Sequence, residues 1–105
     1  MKIISHQTFT LSGAIGLLLL AMSAHADVNT HARTLAATCA ACHGTNGNSV
    51  GGTPILAGLD KSLFIKQMQD FKTGARPATV MHQHAKGYTT EEIEMLADFF
   101  SSQKR

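Results

Sequence analysis

Two cysteines and a histidine lie close together in the run Cys39-Ala40-Ala41-Cys42-His43. Two thiols at this spacing can reach the two vinyl groups of one haem, and the residue that follows then lies under the iron. Its imidazole nitrogen would be the proximal iron ligand, while two thioether bonds hold the macrocycle permanently. The motif therefore predicts one covalent haem c, attached through Cys39 and Cys42 and ligated by His43.

The same cysteine pair has three other interpretations. A thioredoxin-like redox pair needs a βαβ context, and no run of this sequence alternates convincingly as a strand would. A zinc site would use His82 and His84 as further ligands, but their gap from Cys42 is far longer than in a compact zinc finger. A structural disulfide is compatible with an exported chain. Haem attachment is favoured because the motif, the N-terminal leader pattern and the helical surroundings agree.

A haem that only moves electrons needs a second axial ligand, and methionine is a suitable one. Met68 and Met95 fall in predicted helices, where methionine more often fills the core. Met81 lies in a predicted loop, 38 residues after His43. Because a loop can bring a thioether over the opposite face of the ring, Met81 is the predicted sixth ligand.

Two histidines beside Met81 leave this assignment open. His82 or His84 could ligate the iron instead and give bis-histidine coordination with a lower potential. If Met81 were oxidised to its sulfoxide, one of the two could replace it. The simpler interpretation is that both are solvated loop side chains.

The elements that must position these residues are predicted to be helices. A first helix begins near residue 29 or 30 and runs to about Cys39, directly into the cysteine motif. A second covers about residues 60–73, with Asp60 as its N-cap and Gly74 at its end. A last helix follows Thr89, which has capping-box spacing to Glu92. The fold class is therefore all-α, with about three helices and two long loops, residues 44–54 and 75–88, wrapped around one haem.

The first 26 residues have the pattern of a cleaved secretion signal. Lys2 gives a positive start, residues 11–21 are apolar, and Ala24-His25-Ala26 fits a cleavage site. The apolar run is shorter than the roughly 18–20 residues of a membrane-spanning helix, so no stable membrane insertion is expected. The predicted organisation is a signal at 1–26 and one domain at 27–105, located in the periplasm.

The net charge of the predicted mature chain argues against nucleic acid as a partner. The chain has nine basic and seven acidic residues, and one of the basic residues is Lys2 in the predicted signal. The mature chain would be near neutral and has no basic run, so nucleic-acid binding is not expected. A domain this small often needs a cofactor or disulfides for stability, and a buried haem would supply apolar surface.

From the cysteine motif onwards, the sequence resembles class I cytochromes c. The matching parts are residues 39–44, residues 54–58, Met81 and the helix at 91–100. The resemblance implies a small all-α fold and electron transfer without a catalytic side chain, so the chain is not expected to be an enzyme. It also implies that the backbone carbonyl of Pro54 accepts the free N–H of His43 and orients that ligand.

A narrower likeness lies in two short segments, residues 79–81 and 85–89. They are similar to the cytochrome subunits of flavocytochrome c sulfide dehydrogenases, which implies a periplasmic flavoprotein partner that oxidises sulfide. The alternatives are a freely diffusing class I carrier and a haem protein with an open iron site that binds gas or catalyses a reaction. The redox potential, the identity of the donor and the oligomeric state do not follow from the sequence.

Overall fold

The computed structural model describes residues 30–105, of which residues 31–105 form one compact unit. The predicted secretion signal at 1–26 lies outside the described residues, and the division into signal and domain stays a prediction. Four α-helices follow in order: α1 at residues 30–43, α2 at Lys61–Thr73, α3 at Met81–Lys86 and α4 at Thr90–Ser101. A 3-10 turn at Thr45–Gly47 follows α1. No residue between 30 and 105 is in a strand, so the all-α prediction is confirmed.

Two elements differ in length or number from the sequence prediction. Helix α1 continues past Cys39 through the whole cysteine motif and ends at His43. It stops there because Gly44 takes a φ of 80°, a conformation that glycine adopts at little cost. The predicted second loop contains the short helix α3, which begins at Met81. Six residues are too few for a clear periodic pattern, and α3 has no side-chain N-cap that would have marked its start.

The helix ends that the sequence marked are confirmed. The Asp60 carboxylate accepts the Leu63 N–H at 2.9 Å, and α2 ends at Gly74 in the left-handed conformation. At the start of α4, Thr89 and Glu92 form a reciprocal capping box. Each cap satisfies backbone groups that would otherwise lack partners at a helix end.

The hydrophobic core lies between α2 and α4, with contributions from α1 and α3. Phe64 of α2 stacks on Phe100 of α4 with ring centroids 5.7 Å apart. Phe99 meets Phe100 edge-on at 5.1 Å. The buried cluster comprises Ala36, Phe64, Met68, Ala85, Ile93, Leu96, Ala97 and Phe100. This core fixes the positions of the helices that surround the cysteine motif.

The loop between α1 and α2 is held against the end of α4 by its own backbone. The Gly47 carbonyl accepts N–H groups from Leu56 at 2.9 Å and Ala57 at 3.2 Å. The Gly58 N–H donates to the Phe100 carbonyl at 2.9 Å. These bonds return the chain towards the end of α1. Within residues 30–105, no helix has the length and apolar character needed to cross a membrane.

Candidate functional site

A cleft of about 350 Å³ opens between α1, α2, α3 and the loop that follows α1. Its lining is mainly apolar and includes Leu56, Phe64, Met68, Phe71 and Val80. A cleft with a mainly apolar lining is typical of sites that bind small molecules and cofactors.

All five residues singled out from the sequence line this one cleft. They are Cys39, Cys42, His43, Pro54 and Met81. Cys39, Cys42 and His43 lie in the last turns of α1. Met81 is the first residue of α3. The structure therefore brings together groups that are up to 42 positions apart in the chain. Their individual roles towards a haem stay predictions.

His43 is held in one orientation by the loop after α1. Its Nδ1 lies 2.7 Å from the Pro54 carbonyl oxygen, and only 8% of the residue is exposed. Since a carbonyl can only accept, Nδ1 is the donor and carries the proton. The lone pair of the neutral ring is then on Nε2, which is the nitrogen available to a metal. The hydrogen bond implied by the class I resemblance is thus present between these two residues.

The two cysteines are free thiols with different surroundings. Cys39 is partly buried and Cys42 is exposed. Burial raises the pKa of the Cys39 thiol, and hydrogen bonding with Thr38 and Tyr88 acts in the opposite direction. The cysteines are three positions apart on α1, so both face the same side of the helix. Two thiols on one face, each bordering the cleft, suit attachment at two points of one ligand.

The alternative interpretations of the cysteines find no matching geometry. The thiols are not joined as a disulfide. Residues 30–105 also contain no group of three or more histidine, cysteine, aspartate or glutamate side chains that could hold a metal ion. The cysteines and the histidines of α3 therefore do not gather into a zinc site in this part of the chain.

Helix α3 carries all three candidate sixth ligands, and they differ in whether they line the cleft. Met81 and His84 line the cleft, whereas His82 does not. The His82 Nδ1 is buried and has no hydrogen-bond partner among the described residues. A helix places positions i and i+3 on one side and position i+1 on another, which explains the difference.

Two lining residues were not recognised as site residues from the sequence. Arg76 is the only lysine or arginine among the residues that line the cleft in the described part of the chain. Its guanidinium lies 4.9 Å from the centroid of the Phe71 ring, a cation–π contact. Tyr88 borders the cleft and its hydroxyl lies 2.6 Å from the Thr38 hydroxyl. Tyr88 lies in the segment 85–89 that carries the narrower likeness, but no role in the site was assigned to it, and Arg76 belongs to no local motif.

The residues that line the cleft fit a haem c. The lining offers two thiols, an imidazole with its free nitrogen fixed by the Pro54 contact, and a methionine thioether. It also offers an apolar surface for the macrocycle and one guanidinium that would pair with its carboxylates.

Comparison with known proteins gives a family and several relatives. The model of the family described as "Cytochrome c" matches residues 30–104. The "Cytochrome subunit of sulfide dehydrogenase" of Chlorobaculum tepidum is 46% identical over 68 residues, which are 65% of this chain and 62% of that protein. The "Thiosulfate dehydrogenase electron acceptor" of Stutzerimonas stutzeri is 35% identical over 94 residues, 83% of this chain and 44% of that protein.

A third relative has a similar length. "Cytochrome c-553" of Helicobacter pylori is 32% identical over 93 residues, which are 87% of this chain and 94% of that protein. The match thus spans less than two thirds of the first two relatives and nearly the whole of the third.

Proposed function

We propose, since this chain belongs to the cytochrome c family, that it accepts electrons from a periplasmic flavoprotein sulfide dehydrogenase through one haem c. Cys39 and Cys42 attach the haem. His43 and Met81 would ligate its iron. The observation that carries the proposal is that Met81 lines the same cleft as His43, although the two are 38 positions apart in the sequence.

The bound haem supplies a one-electron change at its iron, and the chain's own residues set the conditions for it. The Pro54 carbonyl accepts the His43 Nδ1–H, which leaves Nε2 as the nitrogen that would bind the metal. A thioether from Met81 favours the reduced iron and raises the potential, which suits an acceptor of electrons. The apolar lining limits water. No proton transfer and no nucleophile is needed, so the proposal gives the protein no catalytic side chain.

Two observations support a sulfide dehydrogenase as the donor. The relative named as the cytochrome subunit of such an enzyme is 46% identical over the matched residues. In addition, both segments that carry the narrower likeness border the cleft. Thr79, Val80 and Met81 line it, and so does Tyr88 from the second segment. A partner that recognises these segments would dock beside the haem.

A freely diffusing carrier is the second candidate function. It is favoured by the match to cytochrome c-553, which spans 94% of that protein and so leaves little of its length unmatched. The two functions differ in the partner surface. A dedicated subunit forms a large, stable interface, whereas a mobile carrier forms a small, transient one.

The test is a gentle purification of the tagged chain from the periplasm of its native host. We expect it to be recovered from the periplasmic fraction with a flavin signal beside the haem spectrum, and sulfide to reduce the haem. The control is the same chain separated from any partner, because sulfide also reduces haem without an enzyme. Equal reduction rates in both samples and no flavin would favour the free carrier.

A second measurement tests the ligand assignment. Native ferric protein should show the near-infrared absorption of an iron–thioether bond, and Met81→Ala should abolish it. The reduced native protein should not bind carbon monoxide, because its sixth position is filled. Rapid carbon monoxide binding would contradict ligation by Met81 and support an open iron site.

A further inference from the structure

We propose that His84 is a reserve iron ligand, which takes the sixth position when the Met81 thioether is removed or oxidised by a hydroperoxide. The proposal rests on the proposed function, because it requires a haem in the cleft with Met81 on the iron. This exchange of ligands would convert a carrier of high redox potential into a bis-histidine form of low redox potential.

The placement of His84 on α3 is the first support. Met81 and His84 are at positions i and i+3 of the helix Met81–Lys86, and both line the cleft. Side chains at this spacing have Cβ atoms about 5–6 Å apart on one face of a helix. His84 is exposed, and its ring makes no hydrogen bond to any described residue. Its nitrogens are therefore free to bind a metal.

His82 is excluded as the replacement by the same helix. Its ring lies outside the cleft lining, one position along the helix from Met81. The His82 Nδ1 is buried without a partner among the described residues, whereas His84 is exposed at the cleft. To reach the iron, His82 would have to rotate α3 by about 100°. His84 needs only a shift along the face that already borders the cleft.

The shift of helix α3 that the proposal requires would use the irregular segments at both of its ends. Residues 74–80, which precede the helix, are all exposed and outside regular secondary structure. Gly74 has no atom within 4 Å of an added Cβ, so nothing packs on that side of its backbone. Gly87 follows the helix directly. The buried Ala85 opposes the shift, which explains why Met81 holds the position in the unmodified protein.

The oxidation step is balanced by a hydroperoxide. The thioether sulfur of Met81 loses two electrons and gains one oxygen atom, and the peroxide is reduced to water or to the corresponding alcohol. The sulfoxide is polar and is a poorer soft ligand than the thioether. An imidazole favours ferric iron more than a thioether does, so the potential falls after the exchange. The protein then no longer accepts electrons from its donor.

The experiment uses full-length holoprotein in four forms. These are the native protein, Met81→Ala, the double variant Met81→Ala/His84→Asn and the matched control Met81→Ala/His82→Asn. Native protein must first show iron–thioether absorption, since its absence would refute the proposed function instead. We expect Met81→Ala and the His82 control to show a ferric bis-imidazole spectrum and resist carbon monoxide. The His84 double variant should bind carbon monoxide rapidly.

A second experiment does not need the Met81→Ala variants, which could fail to retain haem. Native holoprotein is treated with hydrogen peroxide, and mass spectrometry of the peptides identifies protein with one added oxygen at Met81. That protein should have a lower midpoint potential and a bis-imidazole spectrum, and the same treatment of His84→Asn should not give the bis-imidazole spectrum. Oxidised native protein that binds carbon monoxide freely would overturn the proposal. So would a loss of the bis-imidazole spectrum in His82→Asn but not in His84→Asn.

Discussion

The Tyr88 hydroxyl lies 2.6 Å from the Thr38 hydroxyl, and this contact joins α1 to the residue before the N-cap of α4. Thr38 Oγ1 donates its own proton to the Leu35 carbonyl at 3.1 Å, so Tyr88 is the donor between the two hydroxyls. The Tyr88 carbonyl also accepts a hydrogen bond from Lys72 Nζ of α2. One residue thereby connects three helices at the edge of the cleft.

Replacing Tyr88 by phenylalanine should lower the free energy of unfolding by about 1 kcal/mol, the usual value of one hydrogen bond. The ring is kept, so packing against the core is unchanged. Urea unfolding of the holoprotein at pH 7 measures the effect. A double-mutant cycle with Thr38→Val is the control, because two residues that share one bond should give less than additive losses. Strictly additive losses would show that the bond contributes nothing.

The contribution of Tyr88 should depend on pH in the alkaline range. Burial raises the pKa of Tyr88 above its ordinary value of 10.0. The unfolded chain therefore loses this proton first as the pH rises, so the stabilisation is complete below pH 10 and is lost as the pH rises through the folded-state pKa. Stability curves of the native protein and Tyr88→Phe should converge above pH 10. A constant difference across that range would contradict a raised pKa.

Gly47 should tolerate no side chain. Its φ is 77°, and an added Cβ would lie 2.8 Å from Leu56 Cβ, 2.9 Å from the Ala57 nitrogen and 2.9 Å from Phe100 Cδ1. Gly47→Ala should cost roughly 2–5 kcal/mol, from left-handed backbone and overpacking together. Gly51→Ala is the matched control, because nothing lies within 4 Å of its added Cβ. Urea unfolding should show a near-native Gly51 variant; equal losses in both would refute the packing argument.

The capping box of α4 predicts a local stability effect. The Glu92 N–H donates to Thr89 Oγ1 at 3.2 Å, and Thr89→Ala removes that acceptor. The expected loss is about 1 kcal/mol in unfolding free energy. Thr90→Ala, one position later and exposed, should change stability little because it is not part of the cap. Similar values for the two variants would show that the cap does not matter.

Arg76 should influence the redox potential. Its guanidinium lies over Phe71 at the cleft, and a positive charge at the cleft would disfavour the ferric state of a haem bound there. Arg76→Gln should therefore lower the midpoint potential, most clearly at low ionic strength. Lys104→Gln removes the same charge outside the cleft lining and is the control. Equal shifts of the midpoint potential in the two variants would mean that the potential depends only on the net charge of the protein.

The sequence alone predicted the chemistry of the site, and it correctly marked the ends of two helices. The cysteine motif, Asp60 and the Thr89–Glu92 pair act through groups within four positions of each other, so their spacing is sufficient to predict them. The family followed from the same local patterns, and the match to residues 30–104 confirms it.

Tertiary structure decided what depends on contacts between distant residues. No local pattern indicates that Tyr88 reaches Thr38 across 50 positions or that Arg76 stacks beside the cleft. The choice between His82 and His84 depended on α3, a helix too short for its own periodicity to be recognised. Packing of that helix against α2 orients its faces, and only the assembled fold shows which side chain faces the cleft.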